Sequence, residues 1–137
     1  MVIGFREMNF TSSFISKTKT MKEYLLLFRN VSGQNDYITT PQDMAEDMPA
    51  WQAWIGNIAM QGKLIQTQPI EYSGTIVSNN GILEGPDKGT NNILVAGYLI
   101  CKADSFDEVQ EWSKTCPILK YKEGSVEIRP VIPFPAN

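Results

Sequence analysis

The segment Glu23-Tyr24-Leu25-Leu26-Leu27-Phe28 places five apolar side chains in succession, and Arg29 closes it. An extended chain alternates its side chains between two faces, so Tyr24, Leu26 and Phe28 cover one face and Leu25 and Leu27 the other. A strand that avoids water on both faces belongs in the middle of a sheet, and residues 24–29 are read as that strand. A polar loop, 30–39, follows. Thr40-Pro41-Gln42-Asp43 then has the chemistry of a helix start. Threonine caps, proline takes the first helical position where no donor is needed, and an acid sits in the first turn. Met44, Met48, Trp51, Ile55, Ile58 and Gly62 recur at spacings of three and four and predict one buried stripe. Pro49 interrupts it and predicts a kink or two abutting helical pieces. Gly62 is read as a left-handed cap.

Residues 63–68 make a further extended run, followed by two short ones, 74–77 and 81–84. Ser78-Asn79-Asn80-Gly81 joins the short pair with hairpin turn chemistry. Gly85-Pro86-Asp87-Lys88-Gly89 is a loop by composition. Residues 94–101 form a second strongly apolar strand in which Gly97 marks close packing or a bulge. Ser105-Phe106-Asp107-Glu108 is a capping box, with Phe106, Val109, Trp112 and Cys116 as the buried stripe of a second helix that Pro117 stops. Residues 125–131 are the last strand. Strand, helix, strand with hairpin, strand, helix, strand is the order of two split β-α-β units. It predicts an α+β, ferredoxin-like βαββαβ fold with an inserted hairpin and helices on one sheet face. The other face then needs a cover, for which a second subunit is the usual answer.

Composition removes several function classes. The 137 residues suit one domain, and none of them is histidine. That excludes a Ser-His-Asp or Cys-His nucleophile and any histidine-ligated metal within one chain. Cys101 and Cys116 are too few for a zinc cage and lack a CxxC spacing, so both are read as structural, and no metal or cofactor is expected. The net charge of −3 is unevenly placed, because Arg6, Lys17 and Lys19 against Glu7 make residues 1–20 basic. The remainder is therefore more acidic than the whole and repels phosphate backbones, so nucleic acid is not an expected partner. No apolar run approaches the ~20 residues of a membrane span, and the first residues lack a signal-peptide order. A cytoplasmic protein is expected.

The last strand alternates Val126, Ile128 and Pro130 with Glu127, Arg129 and Val131. With the aliphatic set toward the helices, Glu127 and Arg129 face the open side of the sheet. In the expected topology the first and last strands are antiparallel neighbours, which brings Arg29 close to Glu127. Two of the chain's three arginines thus converge on one carboxylate, a set suited to holding a small carboxylate or phosphate. The same three residues equally make an ion network at a dimer interface. Trp54, about 60° from Trp51 around the helix, is a candidate for a cleft edge, and Tyr98 beside Gly97 for a ligand-facing hydroxyl. Glu84-Gly85-Pro86-Asp87 sets two acids around a turn, with Glu84 and Glu127 as candidate general bases. Lys63 complements the helix C-terminal dipole.

Met21-Lys22-Glu23-Tyr24-Leu25-Leu26-Leu27-Phe28-Arg29-Asn30 resembles the opening of YCII-related proteins of the DGPF group. Trp51-Gln52-Ala53-Trp54-Ile55-Gly56, Gly62-Lys63-Leu64, Gly97-Tyr98, Ala103-Asp104-Ser105, Cys116-Pro117-Ile118-Leu119 and Val126-Glu127-Ile128-Arg129-Pro130-Val131 extend the resemblance in order. It implies a domain over 21–132, with 1–20 as an N-terminal extension or tail and 133–137 as a C-terminal tail. It also implies a dimeric α/β barrel. A His-Asp pair is viewed as the active site in the YCII branch, and one relative acts on chlorinated hydroxyquinones. This chain has no histidine, and Glu84 and Asp87 replace the first and last residues of the Asp-Gly-Pro-Phe signature.

The expectation is a homodimeric small-ligand-binding domain with a cleft on the open sheet face, lined by Arg29, Arg129, Glu127, Trp54 and Tyr98. Its ligand would be small and anionic or a hydroxylated aromatic, with acid–base chemistry through Glu127 or Glu84. The alternative is a non-catalytic regulatory or protein-interaction module linked to transcriptional control, since other DGPF proteins are encoded with sigma factors.

Overall fold

The computed structural model describes residues 20–31, 41–85 and 93–135. The N-terminal extension, most of the loop after the first strand, the Thr40 cap and the turn carrying Asp87 lie outside the described residues. The chain runs β1 Lys22–Val31, α1 Pro41–Met60, β2 Leu64–Pro69, β3 Gly74–Ser78, β4 Gly81–Gly85, β5 Ile93–Ala103, α2 Phe106–Ser113 and β6 Ser125–Pro130. A 3-10 turn, Pro117–Lys120, precedes β6.

Four strands form one antiparallel sheet in the order β2-β5-β1-β6, and β3 and β4 pair only with each other. The doubly apolar β1 is thus central, as its composition requires. β1 and β2 both run antiparallel to β5, and β5 and β6 both run antiparallel to β1. Each helix therefore links two parallel strands separated by one between them. This is an α+β arrangement of split units with a hairpin inserted between β2 and β5, compatible with a ferredoxin-like fold.

Both helices cover one face of the sheet. Trp54 and Ile58 of α1 and Val109 of α2 join Tyr24, Leu26, Phe28, Leu99 and Cys101 in a single core. Leu26, Ile58, Leu99 and Val109 are completely or almost completely buried, and each such side chain contributes roughly 1.5–3 kcal/mol. Ser105 caps α2 by accepting from the Glu108 N–H, and the Glu108 carboxylate returns to the Asp104 N–H at 2.9 Å. Gly62 adopts φ 72° just past α1, the left-handed cap that its position predicted. A Cβ on Gly97 would lie 3.0 Å from the Gln68 carbonyl, and the β1–β5 register slips between Phe28 and Arg29, so both close packing and a bulge are present.

Two expectations are corrected. Pro49 does not divide α1, which is continuous from Pro41 to Met60. The buried arc of α1 is also rotated from the predicted stripe. Met48 is 42 % exposed and Trp51 half-buried, whereas Trp54 is 8 % exposed. Trp54 sits on the helix-covered side, its ring edge-on to Phe28 and Trp51, and its indole N–H donates to the Trp112 carbonyl at 2.9 Å. It is a core residue and lines no cleft on the open face.

Ion pairs brace the helix layer. Lys63 does more than complement a helix terminus: its ammonium meets Glu108 at 2.5 Å and Asp104 at 3.6 Å, and lies over the Trp112 ring. Asp47 of α1 accepts from both Lys120 and Tyr121, tying α1 to the 3-10 turn. Burial pushes the Asp47 carboxyl up, but those two hydrogen bonds outweigh it and hold the pKa below the ordinary 3.8. A depressed pKa means the contribution is complete above pH ~4 and is lost as pH falls through the folded value. Urea melts of wild type and Asp47→Asn should therefore differ at pH 6 and converge toward pH 3. Parallel losses at both pH values would show that the charge on Asp47 does not matter. Among the described residues no helix is long and apolar enough to cross a membrane.

Candidate functional site

The register fixes what the open face carries. β1 alternates buried Tyr24, Leu26, Phe28 and Asn30 with half-buried Leu25, Leu27 and Arg29. Leu25 lies between Ile100 and Arg129, Leu27 between Tyr98 and Glu127, and Arg29 between Val95 and Ser125. On β2, Gln66 pairs Ile100 and Gln68 pairs Tyr98. The face is therefore an aliphatic and aromatic floor bordered by two amides on one edge strand and by charges on the other, with Glu23 paired to Lys102 at one end.

Those charges converge. Arg29 donates from Nε at 3.2 Å and from Nη2 at 2.8 Å to the same carboxylate oxygen of Glu127. The other Glu127 oxygen lies 3.5 Å from Arg129 Nη1, which is Arg129's ionic contact among the described residues. The Arg129 side chain is 65 % exposed, against 34 % for Arg29 and 40 % for Glu127. One guanidinium is thus committed to the carboxylate, and the second is largely free to take another acceptor.

The Arg29 hydrogen bond, above all, holds the Glu127 carboxyl below its ordinary 4.5. Desolvation opposes it, and the charges of Arg29 and Arg129 add to it. A carboxylate so held stays ionised through the neutral range and is a weak proton acceptor, so the geometry suits anchoring better than general-base chemistry. Its stabilising contribution is present above pH ~4.5 and lost as pH falls through the folded pKa. Glu127→Gln should therefore flatten the loss of stability between pH 5 and pH 3, read by thermal melts. An unchanged acid slope would mean that the pair contributes nothing.

The sequence candidates fall into three groups. Arg29, Glu127, Arg129 and Tyr98 share the open face. The Tyr98 hydroxyl has no hydrogen-bond partner among the described residues. Trp54 is on the opposite side, in the core. Glu84 stands exposed on the hairpin, paired with Thr75, and the chain does not place it with the arginines. Sequence reading put Leu25 and Leu27 together on one face of β1 but missed Gln66 and Gln68 as parts of the open face. The Gln-Thr-Gln alternation was the one signal for the amides. Burial pushes the Cys101 thiol up to about 11, with help from the charge on Glu108, and burial pushes Cys116 up to about 12, so neither is a nucleophile.

The single chain also has a shallow groove of about 390 Å³ between α2, the 3-10 turn and β6, lined by Phe106, Leu119, Val126 and Ile128 with Gln110 and Lys114 at its rim. It lies on the helix-covered side of the sheet, away from the arginines.

The YCII-related domain matches residues 23–135, nearly the whole described chain. The chain belongs to the YCII-related family. No curated protein matches it. Among solved structures, this YCII-related chain is similar to 5-chloro-2-hydroxyhydroquinone dehydrochlorinase from Burkholderia phenoliruptrix AC1100 in complex with 2,5-dihydroxybenzoquinone. The identity is 18 % and the TM-score 0.46, over 77 % of this chain and 90 % of that one.

Proposed function

We propose that this YCII-related protein is a homodimer whose second subunit covers the open sheet face, and that it binds a small anionic or hydroxylated aromatic ligand in a cleft on that face. The observation that carries the reading is the convergence of Arg29, Glu127 and Arg129 on a face whose centre is made of half-buried Leu25, Leu27, Tyr98 and Ile100. Leu25, Leu27 and Ile100 gain by leaving water, so a second layer over them is favourable. A charged cluster beside such a floor is costly unless each charge is answered. Glu127 answers Arg29. An anion over Tyr98 answers Arg129, with Gln66 and Gln68 across the floor as neutral donors and acceptors. The depressed pKa of Glu127 favours binding over turnover.

Thermal shift with benzoate, 4-hydroxybenzoate and inorganic phosphate tests this on wild type and Arg29→Met. A ligand at 100 times its Kd adds about 2.7 kcal/mol, on the order of 5–10 °C at this size. Stabilisation of wild type that vanishes in the variant is the expected result. No shift with any anion, together with loss of the dimer in Arg29→Met, would make the arginines interface residues and overturn the ligand site.

A further inference from the structure

We propose that the β3–β4 hairpin of one copy lies across the open sheet face of a second copy and sets Glu84 against that copy's Arg129. The inference rests on the homodimer reading above and adds to it a segment of the second chain that completes the site.

The hairpin itself needs a cover. Its cross-strand pairs put Ile76 with Leu83 on one face, and Val77 with Ile82 beside Thr75 with Glu84 on the other. Val77, Ile82 and Leu83 are 74 %, 73 % and 61 % exposed. A two-stranded hairpin alone is marginal in water, and one with exposed aliphatic side chains on both faces gains most from an apolar surface to lie on. Among the described residues the hairpin is a sheet of its own, and no other element of the same chain takes those side chains out of solvent.

The open face is complementary in polarity and charge. Its centre, Leu25, Leu27, Tyr98 and Ile100, is half-buried and apolar. Its β1 and β6 strands set Arg29 and Arg129 against Glu127, with Glu23 opposite Lys102 further along, which leaves an excess of one positive charge, most exposed at Arg129. The hairpin face with Val77 and Ile82 brings one negative charge, Glu84, next to its aliphatic pair. A twofold axis makes the contact twice, each hairpin crossing to the other subunit. Arg129 is then the exchangeable cation of the site: Glu84 of the second copy holds it in the empty dimer, and an anionic ligand displaces that carboxylate while Arg29 stays on Glu127.

The test mixes two separately purified variants, Ile82→Cys and Tyr98→Cys, with a short bis-maleimide. Unsubstituted protein is the control, because Cys101 and Cys116 are buried. Cross-linked dimer from the mixture is expected, and Val77→Cys with Leu27→Cys serves as a second pair should Tyr98→Cys fail to fold. A chain carrying both Ile82→Cys and Tyr98→Cys that cross-links only within itself at high dilution overturns the proposal in favour of self-coverage. A wild type that sediments as a monomer overturns both this inference and the homodimer reading. A wild type that is dimeric and binds benzoate, with neither pair cross-linking, overturns this inference alone. Glu84→Gln is further expected to bind benzoate about two- to five-fold more tightly by removing a competing exposed ion pair. An unchanged affinity overturns the Glu84–Arg129 contact.

Discussion

Replacing Trp54 by alanine is expected to cost about 3–5 kcal/mol, the upper range for truncating a core side chain. The indole is 8 % exposed and meets Phe28 and Trp51 edge-on at centroid distances of 5.8 and 5.9 Å. Its removal leaves a void bounded by β1 and α1, which close-packed neighbours fill only in part. Against the 5–15 kcal/mol typical of a domain, that is a drop in Tm on the order of 10 °C. Trp54→Phe separates volume from hydrogen bonding. It keeps most of the ring contact and gives up the indole N–H to the Trp112 carbonyl, about 1 kcal/mol. Urea melts read both variants. A stable Trp54→Ala protein that had lost anion binding would reverse the placement of this residue and return it to the cleft.

The second large effect is Gly124→Ala. A Cβ at this position would stand 1.9 Å from the Ile118 carbonyl oxygen and 2.9 Å from its carbon. Both atoms are backbone, so no side-chain rotation relieves the clash. The 3-10 turn or the start of β6 must move, and Gly124 N–H loses its 3.0 Å bond to the Tyr121 carbonyl in the process. Overpacking usually costs about 1–3 kcal/mol, and a backbone clash sits at or beyond the top of that range. Gly62→Ala is the contrast. Space there is open and the cost comes only from φ 72°, about 1–2 kcal/mol. Chemical denaturation of the two variants side by side should rank Gly124→Ala well below Gly62→Ala. The reverse order would place Gly124 away from the turn.

Elements and their order were legible because each has a local signature. The doubly apolar run 24–28, the Ser105–Glu108 box and the Asn79-Asn80-Gly81 turn depend on neighbours in sequence, and the structure keeps all three. The approach of Arg29 to Glu127 was legible for a different reason. Once the first and last strands are antiparallel neighbours, alternation decides which side chains share a face.

The rotation of α1 was not legible. Trp51, Trp54, Ile55 and Ile58 occupy one broad arc, and the sheet beneath decides which edge of it is buried. Gln66 and Gln68 were missed because the β2–β5 register shifts between Leu64 and Gln66, and one extra residue moves every following side chain to the other face. Glu84 was grouped with the arginines although no local rule could say that its hairpin stands apart from the sheet.

The central place of β1 has a consequence for the order of synthesis. β1 is made early, yet its two partners are residues 93–103 and 125–130. At ~5–20 residues per second, roughly 70 residues and ~4–14 s separate the end of β1 from the end of β5. Throughout that interval a strand that is apolar on both faces has both hydrogen-bonding edges open. Pairing at such separation is slow even after the chain is complete. A pause in translation before β6 emerges leaves one edge of that strand available to other nascent chains, so soluble yield should respond to elongation rate and to holdase chaperones more strongly than equilibrium stability alone suggests.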